Sequence, residues 1–124
     1  MSEERSYRRG EVLLVALPFV SAPARSKIRP AVVIQNNVGN RFSPNLIVAA
    51  ISSQLPPRDY PTNYVVRLSS SEGEGTGLDR DSVVQAEVIL TIPKVAVVRH
   101  LGYFGATAMR AIDERLRVSL DLQQ

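Results

Sequence analysis

The chain reads as a mainly β protein of the α+β class, a small and strongly curved sheet or barrel with one C-terminal helix. Three observations carry this reading. Short apolar, β-branched runs recur up to Leu101, separated by stretches rich in proline, glycine, serine and asparagine. The apolar period then changes from strand-like to helical: Met109, Ile112, Leu116 and Leu120 recur every three to four residues. With 124 residues, 44% of them hydrophobic, the chain can bury one modest core, so residues 1–124 are expected to form a single domain.

The elements follow in order. Met1–Tyr7 is polar and is expected to be a frayed tail. Glu11–Leu17, "EVLLVAL", is apolar after its glutamate and predicts a buried strand that ends at Pro18. Phe19–Ile28 predicts a long loop, mobile in the free protein and expected to order over a bound substrate. Ala31–Gln35 and Leu46–Ile51 predict the second and third strands, joined by a polar loop containing Asn36, Asn37, Gly39 and Asn40. Pro56 and Pro57 exclude a central strand in the next stretch. Tyr64–Leu68 predicts the fourth strand. "SSSEGEGTGLDRD" predicts a flexible surface loop, and it lacks the GK[ST] ending of a phosphate loop. Ser82–Ala86 and Glu87–Ile92 predict one or two further strands, and Ala96–Leu101 a short strand or turn. The helix is expected to start near Thr107 as N-cap, with Asp113 and Arg117 paired at i,i+4.

Composition narrows the chemistry. The absence of cysteine excludes disulfides, thiolate nucleophiles and thiolate metal sites. His100 is the one histidine, so an imidazole pair is excluded. No His/Asp/Glu group has metal-ligand spacing, and no cofactor or metal is expected. A Ser-His-Asp hydrolase lacks its G-x-S-x-G elbow. No apolar run approaches the length that crosses a bilayer, and no signal peptide is seen, so a cytoplasmic protein is expected. Arginine far outnumbers lysine within a net charge of +3. Residues 1–58 hold eight basic and three acidic side chains, a balance of +5; residues 59–124 hold seven and nine, a balance of −2. An arginine-rich half suits phosphate contact. Arginine, hydroxyls and carboxylates can position a phosphodiester and stabilise its transition state. RNA carries its own nucleophile in the 2′-OH.

Five collinear motifs then sharpen the reading: "RRGEV" at Arg8–Val12, "IRPAVVIQNNVGNRFSPNLIVAAISSQ" from Ile28, "DRDSVV" at Asp79–Val84, "LTIPK" at Leu90–Lys94 and "AIDERLRVSL" at Ala111–Leu120. Together they resemble the MazF/PemK family of toxin endoribonucleases, over nearly the whole chain. The resemblance implies an SH3-like small β-barrel with a C-terminal helix, assembled as a homodimer. It implies metal-independent, sequence-specific cleavage of single-stranded RNA to 2′,3′-cyclic phosphate and 5′-OH ends, inhibited by a cognate antitoxin. It places the catalytic arginine at Arg29 and the catalytic hydroxyl at Ser52, where the family carries threonine. Arg25, Lys27, Asn36, Asn40, Ser53 and Gln54 are expected to bind RNA. Two departures stand out: the family's loop glutamate is Ala24 here, and Val88 and Leu90 replace polar residues. With no loop carboxylate, Glu87 or solvent is left to accept the proton. The alternatives are a homologue that grips RNA or antitoxin without cutting, and a small-barrel protein that only coats nucleic acid.

Overall fold

A computed structural model describes residues 6–18 and 26–122. Its six strands are β1 (Glu11–Pro18), β2 (Ser26–Val33), β3 (Asn45–Ser52), β4 (Asn63–Val66), β5 (Ser82–Pro93) and β6 (Val97–Tyr103). Two helices complete it: α1 (Asn37–Phe42) and α2 (Ala106–Leu120). The strands form one antiparallel sheet in the order β4-β5-β3-β2-β1-β6.

Alternation along the strands divides the core. Val12, Val32, Ala49, Ile51, Val66 and Val84 point to one face, where α2 covers them with Ala108, Ile112 and Leu116. Leu13, Val15, Ala31, Val33, Leu46 and Val48 point to the other, joined by Ile92 and Tyr7. Both faces are buried, which is why "EVLLVAL" is apolar at every position after its glutamate. Tyr7 thus belongs to the core, although its segment reads as a frayed tail. Arg9 ties the helix to the sheet, donating to Ile34 O at 2.8 Å and to the Asp113 carboxylate at 2.8 Å. Asp113 is thereby engaged with Arg9, and Arg117 pairs with Glu114 rather than in the expected i,i+4 pair.

The sheet curls at a bulge in β5. Ala49 faces Ile89, yet the next residue, Ala50, faces Gln85, so Ala86–Val88 are looped out of the ladder. The two predicted segments are therefore a single bent strand, whose first part also pairs with β4.

Strands β4 and β6 do not pair with each other, and the gap between them is filled by the glycine-rich segment. Tyr103 N donates to Gly75 O at 2.9 Å. A Cβ on Gly102 would strike the Gly75 carbonyl, and one on Gly77 would strike the Leu101 carbonyl. Thr76 is buried, its hydroxyl donating to Gly73 O at 2.9 Å. The glycine-rich segment lies largely on the surface, as expected, yet it forms a packed closure, and its glycines permit the close backbone approach.

Other differences are local. Strand β2 begins at Ser26, because Ser26–Ile28 pair with Ala16–Pro18. The polar loop after it winds into α1, capped by the Asn36 side chain accepting from Gly39 N at 2.7 Å. Helix α2 has Gly105 as its N-cap, and Thr107 lies inside the first turn, accepting from Arg110 at 3.4 Å. Among the described residues, no helix is long and apolar enough to cross a membrane.

Candidate active site

At one end of the sheet, β2 outruns its ladder with β3. The paired residues are Ala31–Ala50, Val32–Ala49 and Val33–Val48. Continued by two residues, this register sets Arg29 opposite Ser52. Alternation places Lys27, Arg29 and Ser52 on the face that buries Ala31, Val33 and Val48 further in. The apolar face thus ends in a cationic, hydroxyl-bearing rim.

A groove of about 690 Å³ lies here, and both Arg29 and Ser52 line it. Arg29 is exposed and donates from Nη1 to its neighbour's carbonyl, Ile28 O, at 3.0 Å. Ser52 accepts from Gln54 N at 3.1 Å, which folds the chain back after β3 and fixes the hydroxyl. Lys27, Ser53 and Gln54 line the same groove. Strand β2 holds Arg29 against Val15 of β1, so the arginine stands mid-strand rather than at a strand start.

The opposite wall comes from the packed glycine segment and from β6. Asp79, Arg80 and Arg99 line it, together with Gln85 of β5. "DRDSVV" carries Asp79 and Arg80 as part of a family motif, but no pattern in the sequence marks these four side chains as lining a site. The signal lay in the glycines, whose packing on β6 carries Asp79 and Arg80 to the groove. Asp79 and Arg80 pair at 3.3 Å, and the Ser82 hydroxyl donates to Arg80 O at 2.9 Å. Asp79 is the one carboxylate lining the groove among the described residues.

Several expected contributors lie elsewhere. Asn36 and Asn40 sit on the connection at the far end of β2 and β3. Asn36 is occupied as the cap of α1. Asn40 is buried, accepting from Gln35 Nε2 at 3.0 Å and donating to Gln35 O at 2.9 Å. They build the turn and do not join Arg29 and Ser52. Glu87 is also outside the groove; it sits in the β5 bulge and accepts from Asn63 Nδ2 at 2.9 Å. That location removes it as a proton acceptor for this site. His100 pairs with Glu11 at 3.0 Å. Ala24 and Arg25 lie outside the described residues, as does most of the loop expected to cover the substrate. No group of three potential metal ligands occurs among the described residues.

Fold and groove define a small curved antiparallel β protein with a cation-and-hydroxyl rim at one end of its sheet. Residues 8–120 match the family described as PemK-like, MazF-like toxin of type II toxin-antitoxin system, and the chain belongs to that family. It is 36% identical over 115 residues to endoribonuclease EndoA of Bacillus subtilis, covering 93% of this chain and 95% of that one. Solved structures share the fold. An endoribonuclease in complex with its cognate antitoxin, from a mycobacterial species, superposes with a TM-score of 0.76 at 22% identity, over 95% of this chain and 98% of that one. MazE-MazF from Deinococcus radiodurans gives 0.72 at 16%, over 97% and 100%.

Proposed function

We propose that the chain is an endoribonuclease toxin that cleaves single-stranded RNA at short sequences without a metal ion. The observation that supports this most is the meeting of Arg29 and Ser52 in one groove, on one face, at facing register positions. In this reading the 2′-oxygen attacks the adjacent phosphorus, forming the 2′,3′-cyclic phosphate, and the P–O5′ bond breaks. The 2′-proton passes to solvent, and the departing 5′-oxygen takes a proton to become the 5′-OH. Arg29 binds the non-bridging oxygens, whose charge grows in the transition state, and assists departure of the 5′-oxygen by hydrogen-bonding its developing charge. Ser52 holds the phosphate in line with the 2′-OH. Lys27, Ser53 and Gln54 grip the flanking nucleotides, with Arg25 from the loop. Arg80 and Arg99 add positive potential from the opposite wall, and Asp79 offsets part of it. With Ala24 in place of the family glutamate, alignment and electrostatics carry most of the rate.

The same reading makes the protein a cytoplasmic homodimer held inactive by an acidic, partly disordered cognate antitoxin that competes with RNA. The decisive experiment digests a long RNA with pure protein in EDTA and maps the ends. Cyclic phosphate and 5′-OH ends are expected, and a single 2′-deoxy sugar at the cut position should block that cut. Cleavage of the deoxy substrate, or a strict requirement for magnesium, would refute the mechanism.

A further inference from the structure

At the other end of β3 from the groove lies a second cleft, of about 560 Å³. Three cations line it, Arg8, Arg41 and Lys94, together with Asn37, Asn40 and Tyr7. Arg8 and Arg41 make no ion pair among the described residues, and no described carboxylate lines the cleft.

The cleft is built rather than incidental. Lys94 Nζ donates to Asn40 O at 2.6 Å and stands 5.8 Å from the Tyr7 ring centre, so its charge is fixed between helix α1 and the start of the chain. Asn40, buried beneath, donates to Asn37 Oδ1 at 3.1 Å, and Asn37 Oδ1 also accepts from Arg9 N at 2.8 Å. These bonds lock the floor. Above it, Arg41 lies 5.2 Å over the ring of Phe42, which is 73% exposed. Phe42 stands next to the cleft rather than in its lining, and Arg41 covers one face of its ring; such a ring beside cations suits single-stranded nucleic acid, whose phosphates meet the cations while a base stacks on the ring's other face. An acidic peptide would use the charges and leave the ring idle.

We propose that this cleft is a second phosphodiester-binding site, taking the RNA flank that extends beyond the cut site. The proposal rests on the ribonuclease reading for the identity of the polymer. Strand β3 has 8 residues, which sets the two sites roughly 23 Å apart. A short oligonucleotide filling the groove would therefore not reach the cleft, whereas a long RNA would. The cleft would strengthen capture of long transcripts without touching the chemistry.

The test compares the full chain with an Arg8→Gln/Arg41→Gln double variant and, separately, with Phe42→Ala. All three altered side chains are exposed, so folding is preserved, and thermal melts check this. Binding is measured to a short and a long RNA across salt, with Arg29→Ala added to every protein so that neither RNA is cut. Cleavage of the short RNA is measured with Arg29 intact. The double variant should lose on the order of tenfold in affinity for the long RNA alone. Its salt slope on that RNA should flatten by about 1.4, the value for two single-strand phosphate contacts. Phe42→Ala should weaken long-RNA binding without changing the slope. Short-RNA cleavage should stay at the parent rate in both.

Equal long-RNA affinity and slope in parent and double variant would overturn the proposal. Inorganic phosphate alone shifting cleft amides in the parent, with no long-RNA advantage, would make this a free-phosphate site and also overturn it. A tail of acidic peptide that loses affinity in the double variant, while long RNA does not, would do the same. If the parent cuts no RNA at all, the ribonuclease reading fails by itself, and the long-to-short binding ratio still decides the second site.

Discussion

Substituting Gly77→Ala should unfold the closure between β4 and β6, and the structure sets the size of the effect. Gly77 has φ +75°, where an L-residue costs roughly 1–2 kcal/mol. Its new methyl group would also meet the Leu101 carbonyl. Leu101 lies at a bulge of β6, but its neighbours His100 and Gly102 are both paired with β1, which limits how far that carbonyl can yield. Overpacking of this kind adds roughly 1–3 kcal/mol. The combined loss is on the order of 2–5 kcal/mol, which for a chain of this size lowers the melting temperature by roughly 10 °C or more. Gly105→Ala serves as the control. Nothing lies within 4 Å of its added Cβ, its φ is −75°, and its cost as a helix cap is at most about 1 kcal/mol. Circular-dichroism melts of the three proteins give the result directly. The next residues, Leu78–Arg80, line the groove. Gly77→Ala should therefore also slow RNA cleavage well below its melting temperature. Equal melting of Gly77→Ala and parent, or a larger loss at Gly105, would refute the packed closure.

Arg29→Ala and Ser52→Ala should each lower the cleavage rate by about two or more orders of magnitude, as when one transition-state donor is removed. Neither should lower stability much, since Arg29 is exposed and Ser52 ends its strand; single-turnover rates beside thermal melts test both parts. Ser53→Ala should have a far smaller effect, because alternation turns it from the face that Arg29 and Ser52 share; a larger effect at Ser53 would show that the pairing is misassigned. Asp81 accepts from Leu68 N at 2.8 Å and from Arg67 at 3.3 Å, and the backbone N–H first, then Arg67, hold its carboxyl below the ordinary value. A lowered folded value stabilises above the unfolded pKa of about 3.9 and is lost as pH falls through the folded one. Urea melts should show Asp81→Asn less stable than the parent at pH 7, with the gap closing in strong acid; a gap independent of pH would refute the charge assignment.

Periodicity revealed the strands with apolar faces and the late helix, since Val, Ile and Leu at spacings of two or four leave few other choices. The sequence hid what depends on partners distant in the chain. "SKI" at Ser26–Ile28 has no strand pattern, and it becomes strand because Ala16–Pro18 lie beside it. "NNVGNRF" has a glycine and three asparagines, poor helix formers, but Asn36 caps the first turn while Asn40 and Gln35 bond to each other beneath it. The glycines of Gly73–Gly77 look like freedom and act as clearance. Asp113 and Arg117 have ideal spacing, yet Arg9 takes Asp113 from across the molecule at 2.8 Å. Arg29 and Ser52 were legible only through the resemblance, because a lone arginine and a lone serine carry no pattern of their own.

The register explains why those two residues can work as a pair. Strand β2 is held by β1 along its whole length, from Val12–Val32 to Pro18–Ser26. Its ladder with β3 ends at Ala31–Ala50. Pro30 is the next residue, and it has no N–H to donate, so it sits where β2 no longer needs one on that side. Beyond it, Arg29 is anchored from β1 and open toward β3. Ser52 is placed by β5 through its pairing with Val83 and by the turn to Gln54 N. Each residue is thus fixed by a strand on its far side, and the space between them carries no ladder hydrogen bonds. Such an arrangement fixes the two backbones while leaving room between them for a ligand. Rigid donors that do not reorganise when charge develops are the ones that lower a barrier. In the proposed mechanism Pro30, which ends the ladder with β3 while staying paired to β1, belongs to the site although it contributes no polar side chain.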